Sequence, residues 1–304
     1  MKRALVFPGQ ASQFVGMGQD VYTANKSVQN MYTQANEILG FDVTDIAFNG
    51  PLEALTETKV TQPALFVTSA ALFSLLPTSY SFQLTAGHSL GEFSALYAAG
   101  VLSFEDALSI VKVRAEGMQL AGETQSGTMA AILNMSRKDI SKVCKHAQSR
   151  GIVQAANYNS PGQIVISGET VAVHYAMEIA KNLGARKAVA LNVSGAFHSP
   201  LMAPAKENLT AVVESTNFSP AKVPVVSNVN ATPTTDPDQI KSNLLDQLEN
   251  PVLWEDSVEF MLKDGINEFV EVGPGRVLQG LIKRINRDAQ TSGIGTQEQL
   301  EAIS

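Results

Sequence analysis

Gly87-His88-Ser89-Leu90-Gly91 is a G-x-S-x-G motif placed between an apolar segment and a helical one. Residues 82–86 precede it as a short buried strand, and residues 92–99 follow it as a helix closed by Gly100. A serine on such a strand-to-helix turn projects its hydroxyl outward, beside the free N–H groups of the helix N-terminus. Glycine and serine also mark turns without chemistry, but this context favours a nucleophilic serine.

Strands and helices alternate on both sides of this motif. Strand patterns at 4–7, 223–227 and 268–272 occur among helical patterns, which predicts a large α/β domain with a mostly parallel sheet. The predicted helices lie at about 20–39, 52–58, 61–76 (with Pro63 in its first turn), 103–121, 203–215, 238–248, 254–264 and 276–286.

The segment between these parts has a different pattern. Its strands are expected at 129–133, 152–157, 163–167 and 187–193, with helices at 136–149 and 169–183. That order is β-α-β-β-α-β, which predicts a small inserted ferredoxin-like α+β domain. We expect residues 123–195 to form the insert, and residues 1–122 and 196–304 to form a discontinuous, hydrolase-like large domain.

Composition excludes several classes of function. A net charge of −7 argues against nucleic acid or an anionic membrane as the main partner. The single cysteine, Cys144, excludes an intrachain disulfide and a cysteine metal cluster, and it fits a reducing cytoplasm. The apolar run near the N-terminus is too short for a signal sequence, and no stretch approaches a membrane span. We therefore expect a cytoplasmic protein without a metal site.

A nucleophilic serine needs a base, and the chain has four histidines. His88 adjoins the serine and is expected to shape the turn, His146 lies on a polar helix, and His174 lies inside a helix of the insert. His198 follows the last strand of the insert, where two domains meet, so elimination favours His198. No acidic residue is placed to orient it and no histidine follows it, which favours a Ser–His dyad over the α/β-hydrolase triad.

Arg114 lies on the apolar face of the helix at 103–121, together with Ala107, Ile110, Val111 and Met118. A guanidinium that points inward needs an anion, because burying it unpaired costs several kcal/mol. The helix alone leaves two explanations open, a structural ion pair with an internal carboxylate and an anionic substrate.

Five features taken together resemble the malonyl-CoA:acyl carrier protein transacylase family. They are Phe7-Pro8-Gly9-Gln10, Gly87-His88-Ser89-Leu90-Gly91-Glu92, the inward Arg114, Gly195-Ala196-Phe197-His198-Ser199-Pro200 and Glu271-Val272-Gly273-Pro274-Gly275. The likeness runs from about residue 3 to residue 300. It implies the same architecture, a hydrolase-like α/β domain with a ferredoxin-like insert.

The resemblance assigns roles position by position. It implies that Ser89 is the acylated nucleophile, that His198 is its base, and that Arg114 binds the free carboxylate of the malonyl group. It further implies that Gln10 and the N–H of Leu90 form the oxyanion hole.

The resemblance also bears on three amide side chains. It implies that the backbone carbonyl of Gln247 steadies the histidine, whereas without it Gln247 and Gln10 would be ordinary surface or loop glutamines. Asn157 and Asn159 match a segment that lines the cleft, although a role in a turn fits them equally well.

The implied reaction transfers malonyl from malonyl-CoA to the phosphopantetheine thiol of acyl carrier protein, through a malonyl-serine ester and without a tightly bound cofactor. This reaction supplies extender units for fatty-acid synthesis. A serine thioesterase or esterase and a non-catalytic carrier-protein-binding module are the alternatives.

Because carrier protein is acidic in this family, docking requires a local basic patch. The candidates are Lys181, Arg186 and Lys187 on the insert and Lys283, Arg284 and Arg287 near the C-terminus.

Overall fold

The computed structural model describes residues 2–303 of the chain. In that part of the chain the strands are β1 (Arg3–Phe7), β2 (Leu84–Gly87), β3 (Gly127–Leu133), β4 (Val153–Ser160), β5 (Gln163–Glu169), β6 (Lys187–Ala190), β7 (Val225–Val226), β8 (Pro233–Thr234), β9 (Glu268–Val272) and β10 (Gln290–Ile294). The helices are α1 (Gln19–Ala24), α2 (Lys26–Leu39), α3 (Val43–Asn49), α4 (Leu52–Thr56), α5 (Thr58–Ser74), α6 (Gly91–Ala98), α7 (Phe104–Thr124), α8 (Arg137–Ala147), α9 (Thr170–Asn182), α10 (Ala203–Ser215), α11 (Pro237–Gln247), α12 (Trp254–Lys263), α13 (Val277–Ile285) and α14 (Gln297–Glu301).

The larger sheet has the strand order β10-β9-β1-β2-β7-β8, and every neighbouring pair except β7 with β8 is parallel. Strand β1 shows why both faces are covered. Leu5 and Phe7 pack into one hydrophobic core and Ala4 and Val6 into another, because successive side chains point to opposite faces. The predicted large α/β domain with a mostly parallel sheet is confirmed.

The smaller sheet is antiparallel throughout, with the order β4-β5-β3-β6 and with α8 and α9 packed on it. It encloses its own core, in which Ile132, Ile140 and Ile164 are buried. The chain order β3-α8-β4-β5-α9-β6 is the predicted β-α-β-β-α-β pattern, so the inserted ferredoxin-like α+β fold is confirmed.

Several element predictions were wrong in their bounds. The helix expected at 20–39 is two helices, because Asn25 between them is extended (φ −130°, ψ 115°). Helix α5 begins at Thr58 rather than 61, so Pro63 lies inside the helix instead of in its first turn. Pro63 has no N–H, so the carbonyl of Lys59, four residues earlier, lacks the helical hydrogen bond that it would otherwise accept.

Four elements were not predicted at all, namely α3, β8, β10 and α14. Helix α3 covers only two turns, and β10 is a partly exposed edge strand with the polar sequence Gln-Thr-Ser-Gly-Ile. Neither segment shows a long apolar period, which is the signal that sequence analysis depends on. None of the helices in residues 2–303 is long and apolar enough to cross a membrane.

The register of β1 and β2 positions the site. Phe7 lies opposite Gly87, so these parallel strands end side by side and the loops that follow them meet at one edge of the sheet. A Cβ at Gly9 would collide with the carbonyl oxygen of His88, and one at Gly91 with the carbonyl oxygen of Phe7. Glycine is therefore required where these loops touch.

Candidate active site

Ser89 occupies a sharp turn between β2 and α6, with φ at +52°. Left-handed backbone at a non-glycine residue is uncommon and is strained, and it aims the side chain away from the sheet. The turn is held by the side chain of Asn228, which accepts from the Ser89 N–H (2.7 Å) and donates to the carbonyl of Gly87 (2.7 Å).

His198 lies 2.8 Å from the serine, measured from its Nε2 to Ser89 Oγ, although 109 residues separate them in the chain. Its Nδ1 lies 2.7 Å from the carbonyl oxygen of Gln247. A carbonyl only accepts, so the proton sits on Nδ1 and leaves Nε2 free to accept from the serine hydroxyl. The ring is thus held in the tautomer of a general base.

The protonation state of His198 favours the same role. Burial, with Arg114 close by, lowers the pKa of His198 to about 3. Both effects disfavour the charged ring, so the imidazole is neutral at physiological pH and can receive a proton.

Arg114 is buried directly beneath the serine. Its Nη1 donates to Gln62 Oε1 (2.6 Å), and its Nη2 donates to Gln247 Oε1 (2.9 Å) and to Ser89 Oγ (3.1 Å). Burial lowers the pKa of Arg114 to about 10, and Glu92 partly opposes this through space, so the guanidinium stays charged near pH 7.

The partners of Arg114 are all neutral acceptors. None of the ion pairs found between residues 2 and 303 involves it, and its Nε is buried without a hydrogen-bond partner in the same part of the chain. Of the two explanations that the sequence left open, the described contacts favour an anion that arrives from outside over a built-in ion pair.

Of the two residues of the predicted oxyanion hole, Leu90 directly follows the serine and Gln10 lines the same cavity as Ser89. Leu90 is the N-cap of α6, so its N–H is among the free donors at that helix end. Gln10 lies in the loop after β1 and lines the cavity in front of Ser89, while its Oε1 accepts from Gln62 Nε2 (3.2 Å).

A cavity of about 170 Å³ opens onto the dyad. Its lining comes from the large domain through Gln10, His88, Ser89 and His198 and from the insert through Met129, Asn157 and Leu191, among others. A cleft that lies between two folded units and combines apolar walls with a few convergent polar groups is typical of a small-molecule site.

The remaining predicted residues have varied positions. Asn157 lines the cavity. Asn159 is also buried, and its Oδ1 lies 2.8 Å from Nε2 of His88, so it stabilises the turn that carries Ser89. His146 is exposed, and its ring nitrogen Nε2 lies 3.4 Å from the hydroxyl of Tyr175. Ser89, His198, Arg114 and Gln247 are therefore brought together. His88 lines the same cavity, whereas His146 and His174 lie on helices of the insert.

Three residues of this site were missed by sequence reasoning. They are Gln62 and Asn228, described above, and Glu92, which is 3% exposed and accepts from Gln247 Nε2 (2.7 Å). Asn228 could have been found from its position, two residues beyond β7 at the edge where parallel strands end. Gln62 carries no comparable signal, because it is one of several polar residues in α5, among them Thr61 and Thr68.

Comparison with known proteins places this geometry in context. A sequence profile of the acyl transferase domain matches residues 4–298. The chain is 44% identical over 302 residues to a malonyl CoA-acyl carrier protein transacylase of Bacillus subtilis, covering 99% of this chain and 95% of that one. It is 43% identical over 301 residues to an enzyme of the same name from Staphylococcus aureus, covering 99% and 97%.

Solved structures agree with these relatives. An acyl carrier protein S-malonyltransferase from Vibrio cholerae superposes with a TM-score of 0.96 at 38% identity, over 100% of both chains. A malonyl-transacylase solved in complex with its type II PKS acyl-carrier protein superposes with a TM-score of 0.94 at 38% identity, over 100% of this chain and 99% of that one.

Proposed function

This chain belongs to the acyl transferase family, and from that premise we propose that it transfers malonyl from malonyl-CoA to acyl carrier protein. One observation carries the proposal. A single serine hydroxyl lies within hydrogen-bonding distance of both a neutral, oriented imidazole and a buried guanidinium that has no anionic partner in the described chain. A base activates the nucleophile, and a free cation selects an acyl group that carries a carboxylate.

The first half-reaction acylates Ser89. His198 Nε2 takes the hydroxyl proton as Oγ attacks the thioester carbon of malonyl-CoA, and the carbonyl electrons move onto oxygen. The tetrahedral intermediate then collapses, the C–S bond breaks, and the leaving thiolate takes the proton back from His198. Free CoA and a malonyl-serine ester result.

The second half-reaction is chemically the reverse, with a different thiol. The phosphopantetheine thiol of carrier protein gives its proton to His198 and attacks the ester carbon. Collapse expels the Ser89 oxygen, which recovers the proton from His198, and the malonyl thioester leaves on the carrier. The scheme is ping-pong and needs no tightly bound cofactor of the enzyme's own.

The developing oxyanion needs donors that are already in place. We assign this role to the Leu90 N–H at the start of α6 and to the side-chain amide of Gln10. The helix end supplies a free donor and the positive end of the helix dipole. Each donor of this kind typically lowers the barrier by about 3–4 kcal/mol.

Arg114 is assigned to the malonyl carboxylate. The carboxylate would replace neutral amide and hydroxyl oxygens with two charged ones, in the bidentate geometry that a guanidinium favours. Its negative charge would also offset the field of Arg114 at His198, which makes the transient imidazolium easier to form. Binding the correct acyl group thus assists the base.

Carrier protein requires a docking surface. Arg186 on the insert and Arg284 on α13 line the same surface hollow, where Arg284 Nη1 bonds Gln163 Oε1 (2.7 Å). The two basic groups predicted from the sequence therefore adjoin one another across the two folded units. We propose that this combined surface, with its neighbours Lys187 and Lys283, meets the acidic face of carrier protein.

Two further assignments complete the proposal. We propose residues 123–195 as the insert and residues 1–122 and 196–304 as the large domain, because β3 to β6 of the smaller sheet all lie within 123–195 and the strands of the larger sheet all lie outside it. We also propose a cytoplasmic location, since the lone Cys144 is a buried free thiol, as a reducing compartment allows.

Intact-protein mass spectrometry tests the function directly. The enzyme is mixed briefly with malonyl-CoA and then chased with holo carrier protein. We expect a malonyl adduct on Ser89 that moves to the carrier thiol and that is absent from a Ser89→Ala variant. An adduct lost to water at the same rate with or without carrier would contradict transfer and indicate a thioesterase.

A further inference from the structure

Glu92 follows the nucleophile by three residues and takes no part in the scheme above. It lies in the first turn of α6 and is almost wholly buried. Buried carboxylates are costly unless they are bonded, so one placed beneath an active site calls for an explanation. Among the buried residues of α6, Glu92 is the only one that can carry a charge.

The contacts of Glu92 lead to the catalytic groups. One of its oxygens, Oε2, accepts from both Gln247 Nε2 (2.7 Å) and the Asn228 N–H (3.2 Å). The same Gln247 amide accepts from Arg114 through Oε1, and its main-chain carbonyl accepts from His198. Gln247 is therefore a junction between the acidic group, the guanidinium and the imidazole.

An amide side chain has one accepting end and one donating end. Gln247 must present its oxygen to Arg114, which only donates, and its NH₂ group to Glu92 and to the carbonyl of Ser89 (3.0 Å). The bond to Glu92 is the shortest that this NH₂ group makes. Glu92 also attracts the guanidinium through space from the far side of the amide.

We propose that Glu92 is a positioning residue for acyl transfer: its carboxylate holds Gln247, which aligns Arg114 beneath the acyl group and His198 beside the serine. This inference rests on the proposed function, because it concerns alignment toward a carboxylated acyl group. Glu92 touches neither the serine hydroxyl nor the imidazole, so its effect passes through Gln247 and through Asn228, which clamps the turn of Ser89.

The test compares serine acylation by malonyl-CoA and by acetyl-CoA, followed by intact mass. Glu92→Met removes the acceptor and keeps the approximate volume. We expect its kcat/KM for malonyl-CoA to fall at least about tenfold and its rate with acetyl-CoA to fall much less, because only malonyl uses Arg114. Glu92→Gln can present one oxygen to both donors, so we expect it to recover malonyl acylation to within about threefold of the wild type.

A matched control is available in the same chain. Glu271 is also fully buried, and its carboxylate accepts from the N–H groups of Leu278 and Gln279 at the start of α13. Glu271→Gln should lower the melting temperature and leave the malonyl-to-acetyl ratio unchanged.

Two results would overturn the inference. One is an equal loss for malonyl and acetyl in Glu92→Met, and the other is a Glu92→Gln variant as impaired as Glu92→Met. If Glu92→Met fails to fold, Glu92→Asp decides the question, because it keeps the charge but moves the carboxylate back by one methylene. The inference then requires that Glu92→Asp lose more activity with malonyl-CoA than with acetyl-CoA. Failure of the wild type to form a malonyl adduct would instead overturn the proposed function itself.

Discussion

Arg114 donates a hydrogen bond to Ser89, with 3.1 Å between Nη2 and Oγ, so the cation assigned to the substrate's carboxylate already touches the nucleophile. The two residues come from α7 and from the turn before α6. This contact places the acyl-binding charge and the reacting hydroxyl within one hydrogen bond of each other. In the proposed mechanism, neighbouring groups rather than separate subsites would therefore select the acyl group and activate the serine.

Replacing Arg114 should change acyl selectivity. Arg114→Ala removes a charged bidentate partner, and because such bonds contribute about 1.5–3 kcal/mol each, kcat/KM for malonyl-CoA should fall about 100-fold or more. Acylation by acetyl-CoA should rise, since a neutral acyl group no longer faces a buried charge. Stopped-flow acylation with both thioesters measures this, with Glu116→Ala on the exposed face of α7 as control. Equal losses for both substrates would make Arg114 structural.

Reversing charge on the insert should impair only the second half-reaction. Arg186→Glu combined with Lys187→Glu should slow malonyl transfer to carrier protein about tenfold at low ionic strength and leave serine acylation unchanged. Lys142→Glu with Lys145→Glu, on α8 of the same insert, reverses the same amount of charge and serves as the control. Unchanged transfer in the Arg186 and Lys187 variant would remove this surface as the docking site.

The acid limb of the acylation profile should lie at unusually low pH. Burial and Arg114 lower the pKa of His198 to about 3, so the reactive neutral imidazole persists far below the ordinary value of 6.5. We expect kcat/KM for malonyl-CoA to stay nearly constant from pH 7.5 to about 5.5, because the malonyl carboxylate also remains ionised there. A loss of activity with a midpoint near pH 6.5, in protein that circular dichroism shows to be folded, would contradict this.

Glu92 should make the fold less stable as pH rises. Burial raises its pKa from 4.5 to about 7, so the cost of its charge in the folded state is absent below pH 4.5 and complete above pH 7. Burial lowers the pKa values of His88 and His198, so these two residues make the fold more stable as pH rises toward 6.5. Their effect is the same in the wild type and in Glu92→Gln, so it cancels when the two proteins are compared.

The comparison is between the wild type and Glu92→Gln. Between pH 5 and pH 8 the free energy of unfolding of the wild type should fall by about 2–3 kcal/mol relative to that of Glu92→Gln, because one pKa unit corresponds to about 1.4 kcal/mol and part of the cost is already present at pH 5. Urea unfolding at the two pH values measures the difference. Parallel pH dependences in the two proteins would mean that Glu92 is not strained by its burial.

Much of the fold could be predicted from local patterns. The apolar strand before Ser89, the helix after it and the ferredoxin-like order of the insert all follow from hydrophobic period and turn residues, and the structure confirms them. The family predicted from five short segments is also confirmed. Where a pattern was weak, as in the polar edge strand β10 or at Asn25 between two helices, the prediction was missing or wrong.

The sequence by itself determined the chemistry available to the site: a serine on a strained turn, one histidine at a junction between domains, and an arginine on an inward helix face. Only the tertiary structure decided which groups act on each other. Gln247 meets Arg114, Glu92 and His198 because α11, α7 and α6 and the loop that carries His198 converge there. Periodicity records which face a side chain occupies, whereas its partner depends on how separate elements pack. The bond between Arg114 and Gln62 therefore could not be predicted from either helix alone.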